Sequence, residues 1–187
     1  MGVRIKILFA AAALLAGFPA AGKAENPATN GTLMKIQLTT TAFTPGHPIP
    51  SRHAFDHQDI SPALQWSGVP PSAQSLTLIC DDPDAPMGTW VHWVLYDLPP
   101  ALPGLDEGVP KTPELASGAK QGLNDYNRIG YGGPCPPPGK PHRYFFKLYA
   151  LDAKPTLKPG LTKQDLLKAM EGHVVAEGEL MGTYQRK

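Results

Sequence analysis

The chain has 187 residues, and its 17 Lys and Arg against 16 Asp and Glu leave a formal net charge of +1. That length suits one domain with an ordinary core, and the near-neutral balance gives no reason to expect a nucleic-acid binder. The 22 prolines and 19 glycines lie between apolar runs and not in one tract, so they read as loop punctuation in a β-rich fold.

The first segment has the pattern of a secretory leader. Arg4 and Lys6 supply positive charge, residues 7–18 form a short apolar run, and Gly22-Lys23-Ala24 is a plausible cleavage site. The apolar run is too short to span a bilayer comfortably. The expectation is a leader over 1–24, a flexible mature start over 25–32 and one domain over 33–187. The product is then periplasmic or secreted, with no stable membrane insertion after cleavage.

Met34 to Leu38 alternates apolar and polar residues, as a half-buried strand does. A Pro/Gly-rich loop follows from Phe43 to Pro50. His47, His53 and His57 are loosely spaced in turn-rich sequence and read as solvated residues, not as a metal site. Ile60 to Trp66 is a short extended piece with Leu64 and Trp66 turned inward. Leu76–Cys80 and Val91–Leu98 are compact strands rich in β-branched and aromatic residues. Pro99 to about Asn124 reads as a long loop, and Arg143–Leu151 as the strongest strand. Thr162 and Asp165 form a variant capping box, Leu161 and Leu166 a hydrophobic staple, and Leu166, Leu167 and Met170 one apolar stripe. Gly172 ends that helix. Glu177–Tyr184 is either a last strand or an irregular tail. No βαβ alternation appears. The fold class is mainly β, two packed antiparallel sheets with a few short peripheral helices.

Two segments carry the chemistry. Asp81 to Asp97 sets Asp82-Pro83-Asp84-Ala85-Pro86 between two apolar strands and places His92 just inside the second. Alternation puts Cys80, Asp82 and Asp84 on one face and sends Trp93 to the face opposite His92. Tyr131 to Tyr149 repeats the plan: a Pro/Gly loop, His142, then a strand in which Tyr144 shares the face of His142 and Arg143 turns away to a structural ion pair. A pocket built from Asp82, His92, His142 and Tyr144, with Gly132 and Gly133 offering backbone N–H groups, suits an oxyanion. Asp82 would raise the pKa of a histidine and keep it a donor. Cys80 and Cys135 border the two segments; free thiols are the reading taken, with a disulfide as the alternative.

These motifs, with Trp90-Val91-His92-Trp93, Gly132-Gly133-Pro134-Cys135-Pro136-Pro137 and Pro141-His142-Arg143-Tyr144, resemble the phosphatidylethanolamine-binding protein family, also called Raf kinase inhibitor-like proteins, and its bacterial branch most closely. The resemblance runs from about Met34 to Arg186 and takes in Ile60–Trp66 and Gly122-Leu123-Asn124-Asp125. It implies a sandwich with an anion-binding pocket at one end, lined by Asp82, His92, Gly133, Pro137, His142 and Tyr144. It also implies a cis Ala85–Pro86 bond and relatives that often form homodimers. A departure lies at His57, where the family usually has glycine. If that turn needs positive φ, His57 would be strained.

The expected function is binding of a small anionic or phosphorylated ligand, with neither cofactor nor metal, and possible regulation of a partner. Two alternatives stand beside it. One is a hydrolase using Asp82 with His92 or His142 as acid and base. The other is an inhibitor of a kinase- or protease-type partner.

Overall fold

The computed structural model describes Gly2 and residues 33–186, so the leader over 1–24 and the flexible start over 25–32 lie outside the described residues. Among the described residues the strands are β1 Met34–Lys35, β2 Gln37–Thr39, β3 Leu64–Ser67, β4 Ser75–Asp82, β5 Trp90–Leu98, β6 Gly104–Leu105, β7 Lys120–Gln121, β8 His142–Leu151 and β9 Val174–Tyr184. The described residues also hold one α-helix, α1, at Lys163–Met170, and a 3-10 turn at Ser51–His53. No described helix is long and apolar enough to cross a membrane.

The large sheet has the order β1-β9-β8-β4-β5-β7 and the small one β2-β3-β6. The expected strand at Met34–Leu38 divides at Ile36. On one side β1 pairs parallel with β9, and on the other β2 pairs antiparallel with β3. The architecture is therefore the expected pair of sheets, antiparallel except for the β1–β9 edge. The region 99–124 is not all loop, since β6 and β7 each add a short edge to a sheet. The last segment resolves as an 11-residue strand.

Leu64 and Trp66 from the small sheet meet Leu76, Leu78, Trp93, Leu95, Phe146 and Leu148 from the large one in the main core. On the other face of the large sheet, Ile79, Val94, Tyr96 and Leu151 pack under Leu166 and Met170 of α1. Covered on both faces, β4 is buried at every residue. The helix starts as its sequence dictates. The Thr162 hydroxyl accepts from the Asp165 N–H, and the Asp165 carboxylate accepts from the Thr162 N–H. Leu167 leaves the expected stripe and is exposed, because the buried face of an eight-residue helix has room only for Leu166 and Met170.

Two local expectations are corrected. All peptide bonds among the described residues are trans, Ala85–Pro86 included. The turn is closed by the Asp84 N–H donating to Asp82 Oδ1 at 2.8 Å and the Gly88 N–H donating to Ala85 O at 3.1 Å. In the 55–59 turn the residue with positive φ is Asp59, at 54°, not His57. Aspartate tolerates this left-handed region better than most residues.

Candidate functional site

Strand β4 ends in two aspartates that alternation sends to opposite faces. Asp82, only 3% exposed, faces the end of the main core. Its Oδ1 holds the Asp84 amide, and its Oδ2 accepts from His142 Nδ1 at 2.7 Å. Because a carboxylate oxygen only accepts, the proton lies on Nδ1 of His142. Asp84 binds outward: its carboxylate accepts from the Arg143 backbone N–H, from Nε at 2.8 Å and from Nη2 at 2.7 Å. That forked pair holds the Asp84 carboxyl down at about 2. It pins the Asp-Pro-Asp turn to the start of β8, as strand alternation predicts for Arg143.

His92 is placed by a defect in the sheet. Asp81 pairs with Val91 and Cys80 with Trp93, so His92 is an extra residue in β5, a β-bulge. The bulge breaks strict alternation. Val91 packs in the outer cluster under α1, while Trp93 packs in the main core. The His92 ring also lies on the inner side, 5.1 Å from the Tyr144 ring and edge-on to it. The expected opposition of His92 and Trp93 is thus corrected: the inserted residue lets both face inward.

His92 Nδ1 donates to Gly132 O at 2.7 Å, and the Gly132 N–H donates back to His92 O at 2.8 Å. Burial at 2% exposure pushes the imidazole pKa down, and the weaker pull of Asp82 does not offset it. The expectation that Asp82 raises the pKa of a histidine is corrected for His92, where desolvation wins, although the ring stays a donor through Nδ1. With Nδ1 donating to Gly132 O, Nε2 is the ring's remaining nitrogen.

Gly132 and Gly133 do not offer free amides. The Gly132 N–H is used by His92, and the Gly133 N–H donates to Asp59 Oδ1 at 2.7 Å. Gly133 also does not line the cavity. Its role is close approach: a Cβ there would lie 2.1 Å from His53 O, so only glycine lets the 131–137 loop pack on segment 53–55. The same packing corrects the reading of His53 as solvated. It is fully buried, donating from Nδ1 to Ile60 O at 2.9 Å, and Tyr131 Oη donates to its carbonyl at 3.0 Å. No group of three or more metal-ligating side chains occurs among the described residues.

The cavity between the two segments has a volume of about 380 Å³. Asp82, His92, Pro137, His142 and Tyr144 all line it, so five of the six expected residues meet there and Gly133 does not. Sequence reasoning expects stiff apolar walls of prolines and aromatics around the pocket but does not single out Phe55 or Tyr126 as part of them. Phe55 stacks on Tyr126 at 4.1 Å, and Trp90 lies edge-on to Tyr126 at 5.3 Å. Tyr126 is held by Asn124, whose Oδ1 accepts from the Tyr126 and Arg128 amides. The quoted Gly122–Asp125 motif was the available signal for this loop. Among the described residues, two buried donors of cavity-lining side chains lack partners, Tyr144 Oη and Trp90 Nε1. Burial, aided by Asp82, pushes the Tyr144 phenol above its ordinary range, so it stays a donor.

Residues 39–185 match the profile of the family described as phosphatidylethanolamine-binding protein. The chain belongs to the phosphatidylethanolamine-binding protein family. It is 54% identical to a UPF0098 protein of Methanothermobacter thermautotrophicus over 81% of this chain and 99% of that one. It is 46% identical to a UPF0098 protein of Aquifex aeolicus over 81% of this chain and 89% of the other. Among solved structures, the phosphatidylethanolamine-binding protein homolog CT736 of Chlamydia trachomatis is similar with a TM-score of 0.74 and 45% identity, covering 82% of this chain and 99% of that one. Escherichia coli YbcL, described as a member of the mammalian family, gives a TM-score of 0.76 at 31% identity, covering 81% and 99%. The ligand-binding fold of the family is therefore this chain's fold.

Proposed function

We propose that this family member is an exported binding protein whose cavity takes a small ligand with an anionic or phosphorylated head and performs no chemistry on it. The observation that carries the reading is Tyr144, a cavity-lining residue only 1% exposed whose buried hydroxyl has no hydrogen-bond partner among the described residues. A buried hydroxyl left unmade costs about 1–3 kcal/mol, and an oxyanion at this point removes that cost. Trp90 Nε1 adds a second donor without a partner.

The histidines supply the charge. Asp82 accepts from His142 Nδ1 and so turns Nε2 away from itself, and Gly132 does the same for His92. Protonation of an Nε2 makes that nitrogen a donor to the ligand. Burial disfavours the charged form of His92, so a complex in which an anion charges that ring takes up a proton on binding. Phe55, Trp90, Tyr126 and Pro137 give the ligand's body a stiff apolar wall. The leader-like residues 4–24 support a site of action outside the cytoplasm.

Titration with phosphoethanolamine, followed by NMR of the imidazoles, tests this. Saturable shifts of His92 and His142 are expected, with net proton uptake in calorimetry across buffers of different ionisation heat. Imidazole resonances that stay put at millimolar phosphoethanolamine sink the reading.

A further inference from the structure

The cavity wall holds a thiol. Cys135 lies between Pro134 and Pro136, is partly exposed and lines the same space as Tyr144 and His142. Arg186 reaches it from the end of β9 and donates from Nη1 to Sγ at 3.3 Å. The other cysteine is a built-in contrast. Cys80 is 1% exposed in the main core, and burial pushes its thiol well up, out of reach of reagents. Neither is in a disulfide. A molecule that fills about 380 Å³ beside Tyr144 therefore meets a partly exposed thiol, with a guanidinium next to it.

We propose that Cys135 is a covalent modification site within the pocket, accepting one half of a low-molecular-weight disulfide that carries a carboxylate, so that thiolation and ligand occupancy exclude each other. The inference rests on the reading of this cavity as the ligand site. The carboxylate is selected by Arg186, and the apolar wall of Phe55 and Tyr126 takes the reagent's body. In the step, Cys135 gives its proton to water and its sulfur attacks one sulfur of the reagent. The reagent's S–S bond breaks as the new one forms, and the other half leaves as a thiolate that regains a proton. Cys135 is oxidised to the disulfide level and one reagent sulfur is reduced to a thiol, so electrons balance.

The probe is 5,5′-dithiobis(2-nitrobenzoate), an aromatic disulfide with carboxylates, applied to the full chain without denaturant. One equivalent of thionitrobenzoate is expected per chain. Peptide mapping should place the adduct on Cys135, and Cys135→Ser should release none. Saturating phosphoethanolamine should slow the reaction at least tenfold at matched ionic strength. The adduct should in turn abolish the phosphoethanolamine-induced shift of His142. Arg186→Gln should slow this probe more than it slows the uncharged 4,4′-dithiodipyridine. A Cys135 that reacts only after unfolding overturns the proposal. So does an unchanged rate at the phosphoethanolamine concentration that saturates the His142 shift, an outcome that leaves the binding reading intact. If no such shift exists, the binding reading fails by itself, and an adduct that leaves both imidazole resonances unmoved overturns this inference as well.

Discussion

Asp81 and Asp82 are neighbours in one strand, buried alike, and do opposite work. Asp81 points to the outer face of the large sheet, where Lys147 at 3.0 Å and Lys163, the first residue of α1, both bind its carboxylate. Both partners are cations, so the group is saturated, and its effect is to tie the helix to the sheet. Asp82 points to the inner end, where its partners are a backbone amide and the Nδ1 of His142. That imidazole has a second nitrogen directed elsewhere. The difference shows that burial and charge do not mark a site. What marks it is a partner with unused bonding capacity, beside a cavity with unpartnered donors.

The largest effect should come from the saturated side. Asp81→Ala leaves two lysines without their anion and frees the N-terminal end of α1. Lys147 and Lys163 are partly exposed and can swing to water, so the loss should sit at the low end of broken buried pairs, about 3 kcal/mol by denaturant midpoint. Phosphoethanolamine affinity should be unchanged in the folded protein. A variant of normal stability that no longer binds would dissolve the contrast between the two aspartates. On the other side, His142→Ala removes a charge-assisted donor at a cost of about 2 kcal/mol, roughly a 30-fold loss of phosphoethanolamine affinity. Affinity within a factor of two of the parent would remove His142 from the site.

How far the sequence reached depended on whether one strand or two decide a residue's place. Asp82, His142 and Tyr144 were legible because polar residues stood in an apolar context and simple alternation holds through β4 and β8. The same rule turned Arg143 outward to Asp84. His92 was found for its type, but its geometry was hidden, because a bulge exists only relative to the register of the paired strand. The glycine amides were misread because their acceptors lie on other segments: Asp59, 74 residues away for Gly133, and His92, 40 away for Gly132. The apolar wall was expected, but its stacked pair went unnamed for a like reason. Phe55 and Tyr126 stack although they lie 71 positions apart, and nothing in either local window announces the contact.

A subtler test uses an atom whose loss should help one property and harm the other. Tyr144→Phe deletes a hydroxyl that has no partner in the free protein. Stability should hold or rise by a few tenths of a kcal/mol, while affinity for phosphoethanolamine drops about fivefold, the equivalent of one neutral hydrogen bond of about 1 kcal/mol. A fall in stability with affinity unchanged would show that the hydroxyl serves the fold.

The smallest expected effect is the pH response, and its sign follows from burial. His92 and His53 both have pKa values pushed below 6.5, by burial above all. In the window beneath 6.5 and above their folded values, the unfolded chain binds more protons than the native one. Their contribution is therefore complete above 6.5 and is lost as pH falls through that window. Asp84 adds a separate step far lower, since its carboxyl, held at about 2 by Arg143, keeps its pairing until strong acid. The free protein should thus lose urea resistance between pH 7.5 and 5.5. With saturating phosphoethanolamine the loss should shrink, because an anion on Nε2 favours the charged ring and reverses the sign of the His92 contribution, while His53, sealed away from the cavity, keeps its own. Equal losses with and without ligand would mean that His92 stays neutral in the complex and that the anion is held by His142, Tyr144 and Trp90 alone.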